Sequence, residues 1–358
     1  MQMAISQEEN GTWTAKIYYR DYDGEARRKT KRGFATEAEA SRWAELYQQD
    51  AGGGLDVTFE RFYDTYRRDM QPRLRLSTWL GKQNMIETKI LPWFGGMRMD
   101  QIKPIDVVRW QNNLMGQKQK SGKPYSATYL RTVNNQLAAI FNHAVRFYGL
   151  AKSPCASTER MGSSKAPEMR FWTKQQYETF SNAIADKPQA FYAFEMLYWC
   201  GIREGELLAL TPADFDLDKS VVNITKSLQR IHGEDVVTDP KTPKSKRTVV
   251  MPAFLRDEMS DYLEDLGLGD DERVFPVTKY FLAHEMKRGA AAAGVERIRI
   301  HDLRHSHVSL LIDMGFSAVA IANRMGHESA DITFRYAHLF PCKQDEMAKD
   351  LDRARRRA

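Results

Sequence analysis

Six side chains in the second half of the chain could do chemistry if brought together: Arg203, Lys241, His301, Arg304, His327 and Tyr336. Arginine presents rigid, paired donors to an oxyanion and keeps its proton at neutral pH. Lysine is a compact point charge that can also give up a proton. Imidazole titrates near neutrality. A tyrosine hydroxyl, with a reference pKa of ~10, attacks only where a cationic pocket or a base draws its proton away. Singly, none of the six is informative. An arginine such as Arg203, in Cys200-Gly-Ile-Arg-Glu-Gly-Glu, is most often a surface residue. Lys241 sits in a basic loop with Lys244, Lys246 and Arg247. His301 and Arg304 are three apart, so a helix puts them on one face. Gly326-His327 could be a plain turn, and Tyr336 is one of 15 tyrosines. Order and local sequence are what carry information.

The surrounding chain narrows the chemistry. It has 358 residues, 42% hydrophobic and 28% charged, which suits two or three domains with real cores and excludes a disordered chain. No apolar run approaches the ~18 residues of a membrane helix, and the nearest, 190–202, is broken by Glu195. The first residues show neither a basic stretch nor an apolar run, so a cytoplasmic protein is expected. Three widely spaced cysteines, Cys155, Cys200 and Cys342, indicate neither a disulfide frame nor a zinc site. There is no acidic cluster of the two-metal type and no Gly-x-x-x-x-Gly-Lys phosphate loop, so no metal or cofactor is expected. Net charge is +6, but residues 56–150 hold 15 Lys and Arg against 7 Asp and Glu, leaving the rest negative. That segment is either a solvated basic face or one that displaces counterions from a nucleic acid backbone.

Breaks at Gly52-Gly53-Gly54 and over 151–170 divide the chain into three units: 1–50, 56–150 and 171–340, with linkers at 51–55 and 151–170 and a tail at 341–358. In the first, residues 12–20 alternate, with Trp13, Ala15, Ile17 and Tyr19 on one side and Lys16, Tyr18 and Arg20 on the other. Asp23-Gly24 suits a hairpin turn into a strand carrying Arg27, Arg28 and Lys29. Thr36 and Glu39 form a capping box opening a helix to about Gln49. A sheet with one basic, aromatic-dotted face could lie in a DNA groove, or be merely solvated. The second unit reads as all helical, over about 58–70, 77–92, 104–117 and 126–149. Arg131, Asn134 and Asn135 form part of the exposed remainder of its last helix. The third is mixed: helical from 173 to about 199, strands at 221–225, 236–238 and 248–251, then helical again. A small antiparallel sheet inserted in a helical domain is expected.

With these motifs in order, the third unit resembles the catalytic domain of the tyrosine site-specific recombinases, the phage-integrase family. The family pattern is Gly-x-Arg-x-x-Glu, a lysine in a β-hairpin, His-x-x-Arg, Gly-His, and a tyrosine nine residues later. This chain has Gly201-Ile-Arg203-Glu-Gly-Glu206, Lys241 (with Lys244 in reserve), His301-Asp-Leu-Arg304, Gly326-His327 and Tyr336. Residues 56–150 resemble the family's SAM-like core-binding domain, and 1–50 resemble a three-stranded arm-binding domain. The resemblance implies a multidomain α+β protein of the DNA breaking-rejoining fold: a three-stranded sheet plus helix, an all-α domain, and a mainly α catalytic domain with a small sheet. It implies that Tyr336 attacks a DNA phosphate between Arg203 and Arg304, and that Lys241 protonates the leaving 5′-hydroxyl. His301 and His327 would donate or shuttle protons, with Glu206 orienting its neighbours. It further implies a 3′-phosphotyrosyl intermediate and a Holliday junction, and a homotetramer on core-type and arm-type attachment DNA with the tail docked on a neighbouring protomer. An excisionase or a host DNA-bending protein would be possible partners. A chromosome dimer-resolving recombinase, a type IB topoisomerase-like relaxing enzyme and a catalytically silent DNA-binding relative are the alternative readings. The first fits the extra unit at 1–50 poorly, and the last fits the intact six-residue set poorly.

Overall fold

A computed structural model describes residues 2–20, 26–50, 55–163, 169–240, 243–326, 336 and 355. The chain forms two compact units, Met1–Pro167 and Glu168–Ala358. None of the described helices is long and apolar enough to cross a membrane.

The first unit begins with an antiparallel sheet in the order β1 (Gln2–Gln7), β2 (Trp13–Arg20), β3 (Ala26–Phe34). Helix α1 (Glu37–Asp50) covers one face, and Ala15, Ile17, Ala40 and Ala44 are fully buried between them. Small residues there let the helix sit close to the sheet. Of the expected capping box the Thr36 half is present: Thr36 Oγ1 accepts from the Glu39 N–H, while Glu39 accepts from the Ala35 N–H rather than from that of Thr36. The Asp23-Gly24 turn lies outside the described residues.

A second core in the same unit is built by α2 (Phe59–Met70), α3 (Leu76–Met85), α4 (Leu91–Phe94), α5 (Pro104–Gly116) and α6 (Ala127–Phe147). Phe59, Phe62, Trp79, Phe94, Trp110 and Phe141 fill it. The helix expected over 77–92 is not uniform: a wider π turn over Ile86–Ile90 joins α3 to α4, placing Ile86 and Ile90 in the core ahead of Pro92. The segment 151–163, expected as linker, is packed. Met161 is buried, the Glu159 carbonyl accepts from Gln111 Nε2 at 2.8 Å, and Gly162 lies against the Ala127 carbonyl where no side chain would fit.

In the second unit the helical stretch from 173 is two helices, α7 (Lys174–Ala183) and α8 (Pro188–Trp199). Pro188 explains the break, because the residue before a proline is driven out of helical conformation. Helix α9 (Glu204–Leu207) follows. The strands form two sheets rather than one. β4 (Phe215–Asp216), β5 (Val221–Ile224) and β8 (Arg247–Val250) pair antiparallel, and β6 (Ser227–Ile231) with β7 (Glu234–Thr238) make a separate ribbon. His232 and Gly233 both take positive φ at the tip of that ribbon, as a tight primed turn requires. Helices α10 (Ala253–Leu266), α11 (Lys279–Ala292), α12 (Ile300–Asp313) and α13 (Ala318–Met325) complete the unit.

Candidate active site

The end of α8 sets the first anchor. Gly201 has φ 61°, and a Cβ on it would stand 2.5 Å from the His307 ring on α12, so only glycine fits. The chain then turns into α9 with Arg203 at its start. The Glu206 carboxylate accepts from the Arg203 backbone N–H at 2.9 Å and from its guanidinium at 2.6 Å. The same carboxylate takes two bonds from Arg247, at 3.1 and 2.9 Å, which brings β8 to α9. Arg247 also donates to the Arg324 carbonyl at the end of α13. Gly326 closes α13 with φ 64°, and a Cβ on it would stand 2.8 Å from the Lys244 carbonyl and 2.9 Å from the Arg247 side chain.

Helix α12 delivers the second arginine. Arg304 is 4% exposed and donates to the Gly201 and Met325 carbonyls. Those two carbonyls are its hydrogen-bond acceptors among the described residues, fewer than the five donors a guanidinium carries. Burial, then the charges of Arg203 and Arg247, push its guanidinium down to about 9, against the pull of Glu206. It stays charged at neutral pH. Burial pushes Glu206 up, but the hydrogen bonds and charge of Arg247, then the charge of Arg203, outweigh it and hold the carboxyl below its usual range. Local desolvation, then the Arg304 charge, lowers His301 from its ordinary value.

Tyr336 is 4% exposed and packs among Val308, Ile312, Ile321 and Met325 of α12 and α13. Its hydroxyl is hydrogen-bonded to Nδ1 of His305 and lies within electrostatic reach of Arg304. The structure thus gathers Arg203, Glu206, Arg304 and Tyr336 in one region. His301 stands beside His305, ring centroids 5.0 Å apart and nearly perpendicular. Lys241, His327 and the 341–358 tail other than Arg355 lie outside the described residues. Lys244, the reserve lysine, is exposed. The sequence reading missed two residues, Arg247 and His305. His305 was visible as an i, i+4 partner of His301 next to Arg304. Arg247 had no local signal, because its partner is 41 residues away.

Three guanidiniums thus lie within electrostatic reach of one another and of one carboxylate, a surplus of positive charge beside a phenol. Residues 170–342 match the Phage integrase family, 58–115 its N-terminal SAM-like domain, and 5–50 an Arm DNA-binding domain. The chain belongs to the phage integrase family. It is a site-specific tyrosine recombinase, an enzyme that cleaves and rejoins DNA to integrate mobile elements. It is 28% identical over 336 residues to the ICEBs1 integrase of Bacillus subtilis (strain 168), covering 89% of both chains. In fold it resembles a Tn1549 transposon integrase in complex with a circular intermediate DNA, with TM-score 0.67, 19% identity and coverage of 83% of this chain and 99% of that one. It also resembles a lambda integrase tetramer bound to a Holliday junction, with TM-score 0.59, 16% identity and coverage of 94% of each chain.

In the integrase's arm sheet the candidate DNA-binding residues divide between two faces. Tyr18 pairs with Arg28, and Lys16 with Thr30, so Lys16, Tyr18 and Arg28 share the face opposite α1, with Arg20 in phase with them. Lys29 pairs with Ile17 and Arg27 with Tyr19, which puts both positions on the α1 side. Lys29 there lies 3.9 Å from Asp56. The basic strand is therefore not one basic face. On α6, Asn135 is exposed and Arg131 half-buried, but Asn134 is buried and its side-chain oxygen accepts from Gln111 Nε2 at 2.7 Å. Asn134 is a core polar residue rather than part of the exposed remainder.

Proposed function

We propose that the integrase cuts each DNA strand with Tyr336, held between Arg304 and Arg203. A phosphodiester repels nucleophiles because its charge is spread over two non-bridging oxygens, and attack builds more negative charge still. Two guanidiniums meet those oxygens with fixed donors and need no reorganisation at the moment of reaction. The Tyr336 oxygen bonds to phosphorus, the bond to the 5′-oxygen breaks, and a lysine of the 241–246 segment, Lys241 first and Lys244 in reserve, protonates the departing 5′-hydroxyl. His301 and His327 donate hydrogen bonds or move protons, and Glu206 fixes the direction of Arg203 through its two bonds. The 3′-phosphotyrosyl link keeps the bond energy, so a 5′-hydroxyl from a second duplex can reverse the step without ATP. Two such rounds pass through a Holliday junction.

The observation that carries this reading is the burial of the Tyr336 phenol within electrostatic reach of the buried Arg304. Residues 56–150 would grip core-type sites and 1–50 arm-type sites, the latter through Lys16, Tyr18 and Arg28, with four protomers on the DNA joined by their tails. Excisionase and host DNA-bending proteins would set direction. The test is to incubate the protein in EDTA with DNA spanning the element–host junction and map any SDS-resistant adduct. An adduct on Tyr336 is the expected result. An adduct on another residue, or none on DNA the protein demonstrably binds, overturns it.

A further inference from the structure

We infer that His305 is the group that receives the Tyr336 proton as the phenol attacks. The inference rests on Tyr336 being the nucleophile and adds the acceptor that this role requires. His305 Nδ1 is the hydrogen-bond partner of the Tyr336 hydroxyl. On the opposite edge of the ring, Nε2 lies 3.9 Å from the Asp302 carboxylate. That negative charge draws the ring proton to Nε2 and leaves Nδ1 as an acceptor aimed at the phenol. The order phenol, imidazole, carboxylate is thus laid along one face of α12. Asp302 is itself held by Arg299, whose side chain donates at 2.7 Å, and by the Arg299 backbone N–H at 2.9 Å.

The remaining charged and titratable neighbours favour a neutral ring. His301 stands edge-on to it, and Arg304 and Arg299 repel a proton on it. Burial, then His301, lower His305 to about 4, with Asp302 opposing. Such a group is neutral whenever the enzyme works, and ready to accept. A base this weak does not deprotonate free tyrosine. It takes the proton late, once the forming O–P bond has made the phenolic oxygen far more acidic than its starting ~10. The DNA phosphate brings negative charge beside the arginines and stabilises the imidazolium as it forms. The step balances: O–H breaks as Nδ1–H forms, O–P forms as the bond to the 5′-oxygen breaks, and that oxygen is protonated by the lysine. In the return step the imidazolium hands the proton back to Tyr336. His301, one turn earlier on α12, makes no such bond among the described contacts.

The full-length chain is tested as wild type, H305A and H305Q in single-turnover cleavage of the junction DNA at saturating protein. Melting and DNA affinity are followed in parallel. Glutamine can accept a hydrogen bond from the phenol but cannot hold its proton, so both variants should form the adduct ~100-fold more slowly. Each protein is also made with 3-fluorotyrosine at position 336, whose more acidic phenol depends less on a base. The loss should then shrink several-fold. Wild-type rates in H305Q, an equal loss with both phenols, or failure of both variants to fold would each overturn the inference and make His305 a packing residue. A wild-type protein that forms no adduct at Tyr336 removes the nucleophile assignment instead, and the two failures are thereby told apart.

Discussion

The Glu206 carboxylate is the sole described acidic partner of both Arg203 and Arg247, and replacing it by glutamine isolates its charge. Four hydrogen bonds converge on its two oxygens, and the side chain is almost wholly buried. Glutamine keeps the shape but offers one oxygen, and turns its NH2 toward donors. Removing one partner of a buried ion pair costs about 3–5 kcal/mol, chiefly because the other charge is stranded. For a unit of this size that is a fall in melting temperature of about 6–20 °C. The pH dependence gives a second, sharper reading. The folded carboxyl is held below its ordinary value. Its stabilisation is therefore complete above the unfolded pKa of ~4.3 and is lost as pH falls through the lower folded value. The gap between wild type and E206Q should be full at neutral pH and close below about pH 4. Calorimetric melts of both proteins across that range are the assay. A gap under about 2 °C at neutral pH, or one that persists unchanged into acid, would refute the role given to this charge.

Other perturbations follow from the same geometry. Gly201→Ala combines a left-handed backbone with a clash against His307, and should cost about 2–5 kcal/mol of stability; an unshifted denaturant midpoint would show that α12 moves aside freely. Tyr336→Phe should leave DNA affinity unchanged and abolish the covalent adduct on denaturing gels. Arg28→Ala should weaken binding to arm-type DNA and flatten its salt dependence by about one phosphate contact, whereas Lys29→Ala, on the helix-covered side, should leave that slope intact. Equal slopes for the two variants would mean that the sheet does not bind DNA by the face opposite α1.

What could be read from sequence was what is local. Arg203 with Glu206 and His301 with Arg304 are three residues apart, so one turn of helix fixes each pair. The Thr36 cap that opens α1 is of the same kind. The errors came where a second element decides. The strand from Arg27 to Arg32 looked uniformly basic because composition ignores the pleat; pairing with β2 sends alternate side chains to opposite faces. Asn134 looked like its exposed neighbour Asn135, but it faces α5, where Gln111 supplies the partner that a buried amide needs. In His301-Asp-Leu-Arg-His-Ser-His the three imidazoles were indistinguishable by type. Helical phase separates them: His301 stands beside His305, whose ring meets the Tyr336 hydroxyl, while His307 is turned into the core against Gly201.

Arg247 shows why the rest of the site could not be read from spacing. Its value lies in what it does to Glu206. One carboxylate shared by two guanidiniums leaves both weakly neutralised, and Arg304 beside them has no carboxylate of its own among its described hydrogen bonds, only carbonyls. Burial lowers Arg304 most, and the further depression by Arg203 and Arg247 is the physical sign of that surplus. A fold that holds like charges together at such distances is less stable than one that pairs each of them. The same surplus is what a phosphodiester would relieve on entering, and what the growing charge of its transition state would relieve further. The cost in stability and the capacity for catalysis are then one property of the cluster. Removing Arg304 alone should therefore raise the stability of the free protein less than burial suggests, since its carbonyl partners are left without donors, yet it should abolish cleavage.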